Sequence, residues 1–499
     1  MKNIHHYSKR SLMRTLIAMA AILVPLASCD DALETKVYTQ VSPENFFKTE
    51  ADFNVAVVAL YSPFSTNWGM TDPGDGVWYN SLYNADNKTY LMRSILTTDE
   101  MVNGWDPNLE NFTFGPSTWS GSNETVYYKI RYVARATDVI NKISNATGGT
   151  EEVRKKYVAE AKVLRAWLMY ILYDFFGPVN VKLDPATLND TQITPRLSDA
   201  EYTAQMEKDL TEAIPDLEDM YNGNTSQWGR VSKGVARMVL LKLYMHTKQW
   251  AKAEAIGKEI LEMGYALEPN YADIFTKRGN NELIYAVPAS DATPNYYIQE
   301  VLPSDFRQAG SITRKVGGWS GYNMPWSFFD KFDANDERKS VIIDAYTADW
   351  GEVDRTDTWW KGPLPLKYTS FNGDGPGYAI DAVVFRLAEV YLSVAEAINE
   401  QRGPAEAYAY VNEVRSRSNV ADFEDMTQDE FRDAILDERG RELFAEGVRR
   451  QDLIRHGKFI SSAKARGKDA KDYQVLFPIP SAVIIEGKGI IEQNDGYTN

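Results

Sequence analysis

Between residues 151 and 176 the apolar positions Val158, Ala161, Leu164, Leu168, Ile171 and Phe175 recur at steps of three and four. That spacing lines one face of a helix, and Gly177-Pro178 stops it. Periodic patterns also predict helices over 123–144, 231–247, 249–263, 381–401, 404–418 and 427–447. Pro43-Glu44-Asn45-Phe46-Phe47 opens a first helical stretch to about Ser62. Ser198-Asp199-Ala200-Glu201 is a capping box, Ser with Glu three residues on, and opens a helix to about Tyr221. Two stretches break the pattern, 61–120 and 265–380. They are rich in Gly, Pro and aromatics, a loop composition, and they hold nine of the twelve tryptophans. The tail 473–499 also reads as loop.

The predicted helices fall into pairs spaced by roughly 34–40 residues, as in tetratricopeptide arrays. Small residues such as Ala388 and Ala395 sit at packing positions. Such pairs stack because each leaves an apolar face uncovered on its own. The expected fold is mostly α: an irregular tetratricopeptide-like scaffold of about four helix pairs, with a loop-rich aromatic lobe.

Residues 1–15 carry four basic residues and no acid, and Leu16 to Leu26 is an apolar run. At 1.5 Å per residue that run is too short for a ~30 Å hydrocarbon core, so it reads as an export signal. It ends Leu26-Ala27-Ser28-Cys29, which resembles the lipobox of bacterial lipoproteins and implies lipidation of Cys29. The expected organisation is a leader over 1–28, a lipidated tether over 29–42 and one domain over 43–499. Multiple acyl chains would anchor it stably to a membrane. Asp30, Asp31 and Glu34 follow, resembling the surface-export signal of Bacteroidetes lipoproteins. The resemblance implies an outer-membrane protein facing the cell exterior.

Composition narrows the chemistry. Cys29 is the only cysteine, so intrachain disulfides and cysteine-based zinc sites are excluded. Beyond the leader only His246 and His456 remain, and any Ser-His-Asp triad would have to use one of them. The chain carries −16. The leader holds Lys2, Lys9, Arg10 and Arg14 and no acid, so its removal leaves −20. Such a charge repels phosphate backbones, and no nucleic-acid partner is expected. Asp72-Pro73-Gly74-Asp75-Gly76 could offer oxygens to Ca²⁺ but lacks the 12-residue loop pattern. It reads as a turn, as does Asn372-Gly373-Asp374-Gly375. No cofactor or metal is expected.

Five segments together resemble the SusD/RagB family of outer-membrane nutrient-binding lipoproteins. They are Ala159 to Trp167 running on to Phe176-Gly177-Pro178-Val179; Arg386 to Leu392 with Ala395-Glu396-Ala397; Val411 to Arg415; Glu438-Arg439, Arg441-Glu442-Leu443, Glu446-Gly447, Arg449 and Asp452-Leu453; and Phe477-Pro478-Ile479-Pro480 with Gln493 to Tyr497. Thr98-Asp99-Glu100-Met101 adds a weaker match. The chain departs from the pattern at Arg450, where an aromatic is commoner, and at Asn180 and Asp495, where Pro is common. The charged residues Arg441, Glu442, Glu446, Arg449 and Asp452 read as one helix whose ion pairs at three and four residues fix packing. The resemblance implies capture of an oligomeric nutrient, usually a glycan, for a SusC-like TonB-dependent transporter.

A sugar ring offers an apolar face to a Trp or Tyr plane and hydroxyls to Asn, Asp, Gln or Arg. The foremost candidate is Gly317-Gly318-Trp319-Ser320-Gly321-Tyr322-Asn323, whose glycines could expose the indole and admit a ligand to the backbone. It is similar to a family loop near the ligand site. Trp105, Trp78, Tyr296 and Tyr297 are further candidates, and Tyr322 and Asn323 lie in the loop itself. Trp359-Trp360 would form a sharp site if exposed, but a buried pair is expected. Trp167, Trp228 and Trp250 are expected in the core. Two other functions stay open. A surface glycosidase needs only two carboxylates at suitable distance, but no enzyme motif is present. A peptide-capturing relative would want amide partners along a cleft.

Overall fold

The computed structural model describes residues 46–67, 70–71, 78–79, 81–104, 106–117, 124–313, 317–369 and 379–498. The proposed leader, the tether with Cys29 and both calcium candidates lie outside them. The body from Phe47 to Asn499 is one compact unit. Its principal helices are α1 Glu50–Val58, α2 Tyr90–Leu96, α3 Ile130–Ser144, α4 Glu151–Phe176, α5 Asp199–Ala213, α6 Lys233–His246, α7 Trp250–Leu261, α8 Tyr297–Val301, α9 Leu387–Arg402, α10 Tyr408–Arg417, α11 Gln428–Leu443 and α12 Arg449–Arg455. Consecutive scaffold helices pack on each other: α3 on α4, α4 on α5, α6 on α7, and α9 on α10 and α11. α7 also packs on α9, so the sequence-distant pairs share one core.

α4 shows why this array holds together. Thr150 caps it by accepting from the Val153 N–H at 3.2 Å. From Tyr157 onward nearly every side chain is buried, so the helix is wrapped by its neighbours rather than laid on a surface. Trp167 lies at its centre against Phe64, Phe385 and Tyr285, with ring centroids 4.5, 4.9 and 5.1 Å away. Gly177, at φ 69°, ends the helix where expected. The Ser198 capping box is formed, with the Ser198 N–H donating to Glu201 at 3.0 Å.

The stretch 61–120 and the tail, both read as loop, each hold a short helix, Tyr90–Leu96 and Ser481–Glu486. Three further elements differ from the sequence pattern, each for a local reason. α5 ends at Ala213 and not near Tyr221, because Pro215 follows and tightens the chain into a 3₁₀ turn over Ile214–Asp216. Residues 382–386 form a buried strand rather than the start of a helix. The run Ala-Val-Val-Phe-Arg is β-branched and aromatic and pairs with Leu283–Val287. The helix expected over 427–447 stops at Leu443. Ala445 at φ 58° and Gly447 at φ 74° turn the chain left-handed, and α12 starts afresh at Arg449.

The strand pair frames the lobe. With β1 Val102–Asn103, β2 Leu283–Val287, β3 Phe306–Ala309, β4 Tyr322–Asn323, β5 Tyr346–Ala348, β6 Gly351–Val353 and β7 Ala382–Arg386, the chain leaves the scaffold at the end of β2 and returns at β7. β2 and β7 are antiparallel, with Ala382 opposite Val287. Between them β6, β5 and β3 form an antiparallel sheet, edged by Ile312–Thr313.

The family-like charges lie buried between scaffold and lobe. Arg386 donates to Glu282 (2.9 Å), Glu442 (2.6 Å) and Glu446 (2.7 Å). Arg338 donates to Asp336 (2.7 Å) and Glu438 (2.5 Å), and Lys367 reaches Glu446. The Arg417, Arg386 and Arg338 guanidinium groups hold the Glu442 carboxyl far below its ordinary range despite complete burial. The partners come from distant segments. Pairs within one helix, such as Arg441 with Glu438 at 2.7 Å, are the minority arrangement. Arg450 is enclosed too. It donates to Asp174 at 3.1 Å, and its guanidinium lies over Phe175 and Phe477, each 5.1 Å from the ring centroid. Arg450 thereby ties α12 to the end of α4 and to the C-terminal segment.

Candidate functional site

α8 and the loop 317–323 are joined backbone to backbone. The Trp319 N–H donates to the Gln299 carbonyl (2.7 Å), Ser320 N–H to Leu302 (2.9 Å) and Gly321 N–H to Glu300 (2.7 Å). The glycines serve this approach. A Cβ on Gly318 would lie 1.9 Å from the Leu302 carbonyl oxygen, and one on Gly321 would lie 2.8 Å from Glu300 Oε2. Their role is thus to let the loop close onto the chain's own helix, where the sequence pointed to backbone access for a ligand.

The other side of the loop pairs with β1. Asn323 lies opposite Val102 and Tyr322 opposite Asn103, and the Gly104 N–H donates to the Gly321 carbonyl at 2.8 Å. Two segments read separately from the sequence, 103–107 and 317–323, are therefore neighbours. Trp105 itself lies outside the described residues. So does the side chain of Trp78, whose backbone lies in a short strand pairing it with Thr71.

Tyr296 and Trp319 form the aromatic centre. Both are half-buried, their ring planes lie 16° from parallel and their centroids are 5.9 Å apart. Tyr297 and Tyr322 are buried. Their hydroxyls donate to the Pro365 and Ala85 carbonyls, each at 2.8 Å. They offer no open ring face to a ligand. Asn323 is half-buried and donates from Nδ2 to the Gly362 carbonyl at 2.9 Å.

Sequence reasoning missed Glu300. It is buried, and its Oε2 has no hydrogen-bond partner among the described residues. Burial, and secondarily the Asp86 carboxylate, push its pKa up to about 8, so it is protonated at neutral pH. Its signal was an acid inside the apolar run Tyr297-Ile298-Gln299-Glu300-Val301-Leu302. The Trp359-Trp360 expectation is half corrected. Trp360 is buried against Trp326 and Tyr346, whereas Trp359 is 55% exposed. Trp167 is core as expected. Trp228 is half-buried, its Nε1 donating to Asp381 at 2.7 Å. Among the described residues no cluster of His, Cys, Asp or Glu is arranged to hold a metal. No described helix is long and apolar enough to cross a membrane.

Residues 257–497, which contain β2, the lobe, α9 to α12 and the buried charges, match the model of the SusD family. The similarity runs further: the SusD-like protein P25 of Formosa agariphila is 25% identical over 97% of this chain and 99% of its own. The chain resembles the SusD family along nearly its whole length. The starch-binding protein SusD of Bacteroides thetaiotaomicron is 24% identical over 85% of this chain and 87% of its own. Among solved structures, a laminarin-binding SusD-like protein superposes with TM-score 0.72 at 23% identity, covering 90% of this chain and all of the other. Surface glycan-binding protein A of B. thetaiotaomicron, in complex with laminarihexaose, gives 0.71 at 23% identity over the same shares. These likenesses confirm the mostly helical fold, with its tetratricopeptide-like scaffold.

Proposed function

We propose that this protein captures oligosaccharides at the cell surface and hands them to a SusC-like TonB-dependent outer-membrane transporter. The observation that carries the reading is the near-parallel, half-buried Tyr296–Trp319 pair. Such planes stack on the apolar faces of sugar rings, and Asn323, with the 102–104 strand beside it, supplies polar groups for hydroxyls. Trp105 and Trp78 complete the contact set in this reading. The relatives' names support it, since they describe binding of starch, laminarin and laminarihexaose and name no reaction. Lipid on Cys29 would hold the protein to the outer membrane, facing outward. Many weakly binding copies would gain effective affinity together and still release the ligand for transport.

The test is binding of soluble 30–499 to laminarin, starch and other plant, host and microbial glycans by affinity gel and calorimetry. Trp319→Ala runs alongside, with circular dichroism to check folding. Binding of one glycan class, lost in the folded variant, is the expected result. Binding of peptides alone would replace the glycan reading. Site-dependent hydrolysis would make the protein an enzyme.

A further inference from the structure

Trp350 and Trp359 are 60% and 55% exposed. Their ring centroids are 6.0 Å apart and their planes are inclined at 55°, giving a bent aromatic surface. Indoles so exposed bury little on folding and mark interaction sites when they cluster. The pair is also held in place. Trp350 Nε1 donates to Asp305 Oδ2 at 2.7 Å, fixing the ring on the turn between β5 and β6. Trp359 lies in a tight turn beside buried Trp360, whose backbone N–H donates to the Asp357 carbonyl at 3.0 Å. A surface fixed before binding loses less entropy when it is occupied.

The pair is linked to the Tyr296–Trp319 centre through residues 304 and 305. Ser304 N–H donates to Ser320 Oγ at 2.9 Å, beside Trp319. The next residue, Asp305, holds Trp350 and also accepts the Asp349 N–H at 2.9 Å. One short segment thus separates the two aromatic pairs.

We propose that Trp350 and Trp359 form a second sugar-stacking platform, which binds the outer units of the same oligosaccharide chain that Tyr296 and Trp319 grip. The inference rests on the glycan reading of that centre. The surroundings of the platform choose its occupant. Asp305 accepts from one of its rings, and Asp349, next to Trp350, pairs with Arg307 at 2.6 Å, so charged groups flank the aromatic surface. That mixture suits a hydroxylated chain with apolar ring faces better than a protein partner, which would want a broad apolar core. A net charge of −20 after loss of the leader, with carboxylates at the rim, favours a neutral glycan over an anionic one.

The test measures affinity against chain length. Laminari-oligosaccharides and malto-oligosaccharides, each from disaccharide to octasaccharide, are titrated into the soluble mature chain by calorimetry. Trp350→Ala, Trp359→Ala and Trp319→Ala run in parallel, with thermal unfolding to confirm the fold. For the platform variants the expected loss is roughly three- to tenfold for the longest chains and none for the shortest, the size of one lost aromatic contact. Trp319→Ala should weaken every length. Loss in Trp319→Ala with no loss at any length in the platform variants overturns the platform and leaves the glycan reading standing. Equal losses at all lengths in the platform variants also overturn it, because the rings would then belong to the first site. Where neither series binds, the same length series is run on whichever glycan class the wider panel identifies, and absence of binding to every class removes the platform and the glycan reading together.

Discussion

In the scaffold, Arg386 is enclosed by Glu282, Glu442 and Glu446, and every one of these charges is buried and paired. In the lobe, Trp319 is half-buried, and Trp350 and Trp359 are mostly exposed on turns. The first region places ionised groups where water cannot reach them. The second leaves apolar rings where water can. Charges drawn from segments as distant as 282 and 446 fit only one arrangement of the chain, since any other strands a buried ion. Rings left on a fixed surface can be exchanged without disturbing that arrangement. The family resemblance rests on the scaffold and its charges. The choice of ligand should rest on the rings.

The largest effect expected from breaking this division is at Arg386. Arg386→Ala leaves Glu282, Glu442 and Glu446 facing one another without that cation, and should cost about 3–5 kcal/mol of stability, read by urea unfolding. The folded fraction should bind glycan with unchanged affinity. A variant as stable as the parent would show that the buried charges do not secure the fold.

Glu300 is the exception that joins the two regions, since it is a buried acid in the lobe with its proton retained. Its carboxyl titrates near 4.5 when unfolded and near 8 when folded. Between those values the native state keeps a proton that the unfolded chain has released, so stability falls as pH rises through that window. Glu300→Gln mimics the protonated form and should remove this contribution. The difference between variant and parent should grow by up to roughly 3 kcal/mol between pH 5 and 7, at 1.4 kcal/mol per unit. Parallel stability–pH curves for the two proteins would show that Glu300 ionises normally in the fold.

At the exposed end, Trp319→Ala should weaken glycan binding by about 1–2 kcal/mol, roughly tenfold, in calorimetry. Its unfolding midpoint should change little, because the loop is fixed by the backbone hydrogen bonds of residues 319–321 rather than by the indole. A large stability loss with unaltered binding by the residual folded protein would make Trp319 a packing residue.

The two regions were unequally legible in the sequence. α4 was read to its ends because a periodic run fills 151–176 and Gly177-Pro178 closes it. Pro215 was visible, yet the apolar pattern beyond it hid the stop in α5. The strand 382–386 was absorbed into the following helix because a short buried run carries no period that separates strand from helix. The charged motif was correctly read as structural, but its partners were sought within one helix, and spacing along a chain says nothing of Glu282 or Lys367. The tryptophan-rich stretches located the lobe. Sequence composition could not say that the two-residue ladder of β1 and β4 brings 103 beside 322, or that Trp359 faces out while Trp360 faces in.

The smallest effect tests whether the regions are independent. Ser198→Ala removes the hydroxyl that accepts from the Glu201 N–H at the start of α5. It should cost about 1 kcal/mol, read as a lower urea midpoint with an unchanged slope. Glycan affinity should stay within the error of calorimetry. The double variant with Trp319→Ala should show the sum of the two stability changes, since residues without shared partners act additively. Weakened binding in Ser198→Ala alone would mean that strain at a scaffold helix end reaches the rings. The lobe would then be tuned through the scaffold, and the division between a fold held by buried charge and a surface chosen by exposed rings would have to be given up.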